Sequence, residues 1–230
     1  LVYCVLHLAA KAIQFMKGKH NKKTLHFSQA CLSYCHITIP SIEDVELQMK
    51  LFLLSANVAL LNGLISEADG LIKAFINLIP DIFQMTENIQ EIMIKKEESL
   101  ESMLNSLMGF MVVLPGNPET GAFHLFNGVM NALQQHQTVQ EPYFKLRVLG
   151  NMMAVLWTFM QEKLPYHIAR VDSNDRVYTG DEEFIKTCKE MISSLVEEIM
   201  VLFQELEGKR FTDIGNKYEM FYASLFCANK

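Results

Sequence analysis

The chain has 230 residues, of which 50% are hydrophobic and 20% are charged, so it can bury a sizeable core and extended disorder is excluded. Its formal net charge of -6 argues against nucleic acid as the main partner, because phosphate binding relies on clustered Lys and Arg. The one basic cluster is KGKHNKK at 17–23. Its Gly and Asn content indicates a solvated turn between helices.

The cysteines and the first residues indicate the compartment and the extent of the chain. The five cysteines form no Cys-x-x-Cys pair and no framework of the secreted type, which indicates a reducing compartment and a cytosolic protein. The chain begins with LVYCVLHLAAKAIQF, which starts within a helical pattern, without a cap or an initiating Met, and lacks the features of a signal peptide. We therefore interpret the sequence as a C-terminal segment whose N-terminal region is missing.

The most apolar stretch lies at 48–66 and carries no charge between Lys50 and Glu67. It is shorter than the roughly 20 residues of a membrane span, so we expect it not to cross a bilayer. On a helical period, one narrow polar stripe contains Asp44, Gln48, Ser55 and Asn62. The rest of the circumference is apolar, which predicts a helix in the solenoid interior whose polar stripe faces a groove.

Caps and breakers along the chain predict helices throughout. Ser41 is a plausible N-cap with Asp44 three residues later, so a helix is predicted to start near Ile42. Gly63 is predicted to interrupt that helix, and Pro80 marks the start of a later one. No segment alternates apolar and polar residues over the length of a strand. An all-α fold follows.

The domain organisation is predicted from loops and compositional breaks. We predict one C-terminal α-solenoid segment covering 1–230. The Pro- and Gly-containing loop at 115–120 separates two helical blocks, 1–114 and 121–207, and a terminal helix lies in 208–230.

The stacking of the helices is predicted from their length and apolar faces. The spacing from Ser41 to Pro80 is that of one HEAT helix pair, whose unit is about 40 residues. The helix around Trp157 has two apolar ridges and a thin polar edge, as a helix inside stacked pairs requires. We predict a HEAT-like α-solenoid of stacked antiparallel helix pairs. A compact irregular bundle is the structural alternative, because no consensus word repeats at a fixed period.

The sequence contains few residues that could bind a metal ion or act in catalysis. The richest group of possible metal ligands contains His26, Cys31, Cys35 and His36. Structural zinc prefers loop knuckles to such helical spacing, and cysteine is among the most commonly buried residues. No GxSxG, HExxH, GxGxxG or P-loop motif occurs. We predict no catalytic residue, no cofactor and no metal site.

Two blocks of the chain resemble a known family. They read HFSQACLSYCHITIPSIEDVELQMKLFLLSANVALLNGLISEADGLIKAFINLIPDI and LFNGVMNALQQHQTVQEPYFKLRVLGNMMAVLWTF. The first resembles the C-terminal solenoid of the large subunit of retromer, in which an RLFLQGA-like helix precedes an EADGLIKAF-like helix. The second resembles the closing helices of the same subunit. The amino-acid sequence of the segment CHITIPSIEDVELQMKLFLLSANVALL resembles more closely the large subunit of Retriever, an endosomal recycling complex. The resemblance extends to about Glu207, with departures after Pro165.

The resemblance implies a non-catalytic scaffold that is cytoplasmic, associates with endosomes and recycles integral membrane cargo. It implies that the solenoid curves around a small subunit with a metallophosphoesterase-like fold, while an arrestin-like subunit binds the missing N-terminal part. Coiled-coil and COMM-domain proteins of the Commander assembly are further implied partners, and membrane contact is expected to be peripheral and indirect. The alternatives are a retromer large subunit or another HEAT-type adaptor, and a helical domain of an enzyme.

A small partner seated in a groove is expected to be held by a few apolar anchors with a polar rim. The candidates lie at helix edges and loop ends: Asn57, Leu61, Phe123, Phe126, Asn151, Trp157 and Tyr166. Each also has a simpler interpretation. Trp157 lies on a ridge that core packing would explain, and Asn57 and Asn151 would equally serve as caps or bond within the stack.

Overall fold

The computed structural model describes residues 1–84, 90–114, 116, 121–134, 142–161, 163–164, 167–168 and 171–207. Its first five helices are α1 (Val2–Met16), α2 (Lys22–Thr38), α3 (Val45–Leu61), α4 (Ile65–Asn77) and α5 (Ile79–Gln84). The remaining five are α6 (Gln90–Val113), α7 (His124–Gln134), α8 (Pro142–Phe159), α9 (Asn174–Val177) and α10 (Glu182–Glu207). These ranges contain no strand, so the predicted all-α class is confirmed.

The helices are arranged in two layers. In the first layer α1, α3, α6, α8 and α10 follow one another, each in contact with the next. In the second layer α2 contacts α4, and α4 contacts α7. Contacts of α1 with α2, of α2 with α3 and of α3 with α4 join the layers. Stacked helices that contact mainly their neighbours form a solenoid, so the predicted α-solenoid is confirmed.

The start of α3 differs from the prediction. Asp44 is the N-cap, and its Oδ1 accepts hydrogen bonds from the backbone N–H groups of Glu46 at 3.0 Å and Leu47 at 3.2 Å. Ser41 belongs instead to a short 3-10 turn that ends before Ile42. The predicted start near Ile42 was therefore too early, because the aspartate satisfies the first free N–H groups of the helix.

The polar stripe of α3 does not face a groove. Three of its members, Gln48, Ser55 and Asn62, are buried. The Ser55 hydroxyl and the Asn62 amide each donate to a carbonyl of the preceding turn, at 2.7 Å, and Asn62 Oδ1 accepts from Ser28 Oγ of α2 at 2.9 Å. Because small polar groups bonded in this way are tolerated inside a protein, the prediction of a groove-facing stripe was wrong.

Other predicted features have a mixed outcome. Residues 17–21 of the basic cluster form the link between α1 and α2, and its last two lysines begin α2, so the predicted turn between helices is confirmed. No helix in the described ranges combines the length and the apolar character needed to cross a bilayer. The predicted terminal helix in 208–230 and the loop at 115–120, except Gly116, lie outside the described residues. The division into blocks 1–114 and 121–207 stays a prediction.

Candidate functional site

A row of side chains along α3 is exposed, although most of this helix is buried. The row consists of Lys50, Leu54, Asn57 and Leu61, with the half-buried Glu46 at its start. Steps of three and four residues place all five on one side of the helix. The side chain of Leu61 is 54% exposed. The row borders α6, because Ser99 Oγ of α6 donates a hydrogen bond to Glu46 Oε1 at 2.6 Å.

Helices α6 and α8 continue this surface. A shallow depression runs between them, and its lining includes Asn105, Gly109, Asn151, Ala154 and Thr158. Beyond it lies Trp157 of α8, which is 44% exposed. We call the whole surface the α3–α6–α8 face. Because α6 contacts both α3 and α8, it lies between the helices that carry Leu61 and Trp157, and Met108, Val112 and Val155 also line the depression.

Polar contacts hold α6 and α8 together along this face. The Arg147 Nε atom lies 2.8 Å from both carboxylate oxygens of Glu101, and Arg147 Nη2 lies 2.8 Å from Glu101 Oε2. Asn151 Nδ2 donates to Asn105 Oδ1 at 2.6 Å. An arginine that contacts a carboxylate with two nitrogens fixes direction as well as distance. The spacing of the two helices is therefore set by these links.

We expect Arg147→Lys to lower the free energy of unfolding by about 1 kcal/mol, because a lysine ammonium cannot reproduce the forked contact with Glu101. Urea unfolding followed by circular dichroism measures the change. The control is Lys186→Gln, whose charge pair with Glu190 spans 3.7 Å and is mostly exposed. We expect no measurable change for the control. Equal effects of the two substitutions would contradict a structural role for Arg147.

Four of the seven predicted partner contacts lie on the α3–α6–α8 face. They are Asn57, Leu61, Asn151 and Trp157. Asn57 Nδ2 donates to the Leu53 carbonyl at 3.0 Å, so its amide is already partly satisfied within the helix. Sequence reasoning missed Leu54, which is exposed two helical turns before Leu61. The spacing of seven residues between the two leucines was the signal, but the same spacing is typical of a core ridge.

The other three candidates are placed differently. Phe126 is buried. Phe123 is half-buried, with its ring stacked 5.0 Å from the ring of Phe184. Tyr166 lies outside the described residues. A contact of these three with a partner stays a prediction, and they form no part of the α3–α6–α8 face.

A buried carboxylate organises the segment between α8 and α10. Asp175 accepts hydrogen bonds from the Leu164 N–H at 3.0 Å, from His167 Nε2 at 2.8 Å and from the Ser173 hydroxyl. Burial by itself raises the pKa of Asp175, but the bonds from Ser173, Leu164 and His167 outweigh it and hold the pKa well below its usual range. The carboxylate therefore stays charged inside the protein.

The same residue types occur in catalytic triads, but their order here differs. In a triad the histidine lies between the acid and the serine, and takes the proton of the hydroxyl. Here Ser173 and His167 both bond to Asp175, so the carboxylate lies in the middle. A serine whose hydroxyl donates a hydrogen bond to a carboxylate, with no histidine beside it, is held in place and is not arranged as the nucleophile of a triad. The arrangement of these hydrogen bonds fits a structural role.

Neighbouring contacts extend this cluster to the end of α6. Asn174 Oδ1 accepts a hydrogen bond from the Gly116 N–H at 2.9 Å. The Tyr178 ring stacks on the Phe184 ring at 4.4 Å, and Phe123 covers the same phenylalanine. The α6–α7 connection, the α9 turn and the start of α10 are thereby joined.

The predicted set of possible zinc ligands is divided between surface and interior. His26 and His36 are exposed, whereas Cys31 and Cys35 are buried. Burial, with a smaller contribution from Cys31, raises the pKa of Cys35 to about 11, so its thiol stays protonated. In the part of the chain that the structure describes, no three His, Cys, Asp or Glu side chains are placed to hold a metal ion together.

Comparison with known proteins gives one consistent family. A family model described as the VPS35L C-terminal domain matches residues 1–218. The VPS35 endosomal protein sorting factor-like protein of Dictyostelium discoideum is 38% identical, over 87% of this chain and 20% of its own length. The human protein of that description is 33% identical, over 94% of this chain and 23% of its own length.

A more distant relative agrees with these two. The VPS35 endosomal protein sorting factor-like protein of Drosophila melanogaster is 28% identical over 89% of this chain and 21% of its own length. The chain therefore spans about a fifth of the length of the curated relatives that it matches. With the family model covering residues 1–218, the chain belongs to the family of VPS35 endosomal protein sorting factor-like proteins, and it corresponds to their C-terminal domain.

Proposed function

We propose that this chain is the C-terminal scaffold segment of an endosomal cargo-recycling complex of the Retriever type. In this proposal its α3–α6–α8 face binds a small subunit with a metallophosphoesterase-like fold. The names of the relatives support a role in endosomal sorting. The observation that carries the choice of surface is that Leu61 and Trp157, 54% and 44% exposed, lie on the two helices that contact α6.

Removing the two large side chains from water would supply the affinity. Each exposed apolar anchor that becomes buried contributes about 1 to 2 kcal/mol, and a few such anchors dominate a typical interface. Short residues between them, such as Gly109 and Ala154, let a partner approach the backbone closely. A protruding apolar group on the partner, surrounded by polar groups, fits this shape.

The charges of the face restrict the partner further. Lys50 pairs with Glu46, and Arg147 pairs with Glu101. With these charges neutralised by each other, the depression between α6 and α8 is lined by uncharged residues. A strongly charged partner surface would lose water without gaining a counter-charge, so we propose a nearly neutral contact surface on the small subunit.

The other partners implied by the family resemblance are proposed to bind elsewhere. The arrestin-like subunit is assigned to sequence N-terminal to this chain. The coiled-coil and COMM-domain proteins are assigned to parts of the assembly outside the α3–α6–α8 face. The role proposed for the chain is to hold proteins together, with cargo recycling as the outcome.

Alanine substitution of the two anchors tests the proposal. We expect Leu61→Ala and Trp157→Ala each to weaken binding of the purified small subunit about tenfold or more, because each removes an apolar anchor. Isothermal titration calorimetry measures the affinity, and circular dichroism verifies that helicity is retained. The control is Met200→Ala, which shortens an equally exposed apolar side chain on α10. An equal loss for the control, or no loss for either anchor, would contradict the proposed surface.

A further inference from the structure

Helix α7 carries one residue that can be charged. Its sequence, HLFNGVMNALQ, contains His124 and no Asp, Glu, Lys or Arg. His124 is the first residue of the helix, and its side chain is only 11% exposed. The Nε2 atom of its ring lies 2.6 Å from Asp69 Oδ1 of α4, and the Nδ1 atom lies 2.9 Å from the carbonyl oxygen of Gly121. Both ring nitrogens are therefore within hydrogen-bonding distance of an oxygen.

The two oxygens beside His124 accept hydrogen bonds and do not donate them. A backbone carbonyl has no proton to give. The other oxygen of the Asp69 carboxylate, Oδ2, lies 2.7 Å from the ammonium group of Lys73, so the carboxylate meets two donors in its ionised form. A neutral imidazole has one N–H and one lone pair, and can satisfy only one of the two acceptors. Only an imidazolium, with a proton on each nitrogen, satisfies both.

The positive charge on His124 depends on Asp69. The dipole of α7 disfavours a cation at the first residue of the helix. The charged residues of two other nearby helices do not pair with the ring, because Asp81 of α5 forms no ion pair with it and Asp175 of α9 bonds to His167. Among the described residues, the small cavity that His124 borders is lined on its other sides by uncharged residues: Met111, Leu114, Gly116, Phe159 and Asn174.

The contact between α4 and α7 has a polar part and an apolar part. A Cβ atom at Gly128 of α7 would lie 3.5 Å from Ile76 Cγ2 of α4, so the two helices pack closely at that point. The pair of Asp69 and His124 lies about one turn earlier along α7. When the imidazolium loses a proton, one of its two acceptors faces a lone pair and that hydrogen bond is lost. The first turn of α7 would then separate from α4, while the apolar part stays packed.

We propose that His124 forms a pH-sensitive contact between α7 and α4, which is complete only while both ring nitrogens carry a proton. His124 acts in this proposal as a positioning residue. Histidine is the side chain whose ordinary titration falls near physiological pH, so the contact would respond to small changes of pH. The proposal goes beyond the function proposed above and does not rest on it, because neither His124 nor Asp69 is part of the α3–α6–α8 face.

Urea unfolding of the chain and of His124→Gln tests the proposal, at about pH 6 and about pH 9, on either side of the ordinary titration of histidine. Protonation favours the folded contact, so its contribution is present at low pH and is lost as the pH rises. His124→Gln should raise the unfolding equilibrium constant about tenfold or more at the lower pH, and less than about threefold at the higher pH. With Asp69→Asn already in place, the effect of His124→Gln should be the same at both pH values. The matched control is His26→Gln, which replaces an exposed histidine of α2 and should change the constant at neither pH.

NMR of the unsubstituted chain, labelled with ¹⁵N-histidine, tests the same contact without a mutation. At about pH 6, both ring N–H protons of His124 should be observed, because hydrogen bonds in a largely buried ring slow their exchange with water. The exposed His26 should show neither proton. As the pH rises, one of the two His124 signals should disappear. Fewer than two ring protons for His124 at the lower pH, an effect of His124→Gln that does not shrink as the pH rises, or an equal pH dependence for His26→Gln would overturn the proposal.

Discussion

Asp175→Ala is expected to lower the free energy of unfolding by about 3 kcal/mol, measured by urea unfolding near neutral pH. The Asp175 side chain is almost fully buried, and its removal leaves the Leu164 N–H and the Ser173 hydroxyl without their acceptor. A buried donor without a partner carries the whole cost of its desolvation. The loss should therefore exceed that of any surface charge in this chain.

The pH dependence of this effect has a definite sign. Hydrogen bonds that outweigh burial lower the pKa of Asp175 from its usual 3.8. A group whose pKa is lower in the folded state stabilises the protein fully above its unfolded pKa, and this contribution is lost as the pH falls towards the folded value. The difference in stability between the protein and Asp175→Asn should therefore be constant near neutral pH and shrink below about pH 4.

The control for this pair of measurements is Asp172→Asn. Asp172 is mostly exposed, and its carboxylate lies 3.7 Å from Arg176 Nη1. We expect a change of less than about 0.5 kcal/mol, as for other exposed charge pairs. A loss for Asp172→Asn as large as that for Asp175→Asn, or a difference that grows on acidification, would contradict the assigned role of the buried carboxylate.

Gly116→Ala is expected to lower the free energy of unfolding by about 2 to 3 kcal/mol. A Cβ atom at this position would lie 2.3 Å from the Cα atom of Ala122, so backbone must move. That movement would also break the hydrogen bond from the Gly116 N–H to Asn174 Oδ1. Differential scanning calorimetry should record a melting temperature lower by several degrees.

Gly109→Ala is the matched control for the glycine prediction. Gly109 lies within α6, and a Cβ atom there would meet nothing within 4 Å. Because alanine favours helix more than glycine does, the control should raise the free energy of unfolding by about 0.5 to 1 kcal/mol. Effects of the same sign at the two glycines would contradict the close packing of Gly116 against Ala122.

The class of fold was predictable from local signals, because helix periodicity and breakers act over a few residues. Gly63 illustrates this, since its φ of 73° ends α3 where the sequence predicts a break. The faces of α3 were harder to predict. Ser55 and Asn62 form hydrogen bonds inside the protein, so the polar side of the helix is buried. Leu54 and Leu61, on another side of the helix, are exposed. Hydropathy alone predicts the opposite orientation.

The candidate site was predicted in part. Leu61 and Trp157 were singled out from helix edges, but an apolar pattern does not distinguish an anchor from a core residue. Phe126 was predicted as a partner contact from the same kind of apolar pattern, but it is buried in the core. The cluster around Asp175 left no local signal. Its donors Leu164 and His167 lie 11 and 8 residues away in sequence, so they meet the carboxylate only through the tertiary fold.

The most direct test of the proposed scaffold uses the only tryptophan in the sequence, Trp157. The chain is labelled with fluorotryptophan, and its single fluorine NMR resonance is followed while the unlabelled metallophosphoesterase-fold subunit is added. We predict that the resonance shifts and broadens until the subunit reaches an equimolar amount, because the indole leaves water on binding. A resonance that stays unchanged at saturating subunit would contradict binding at the α3–α6–α8 face.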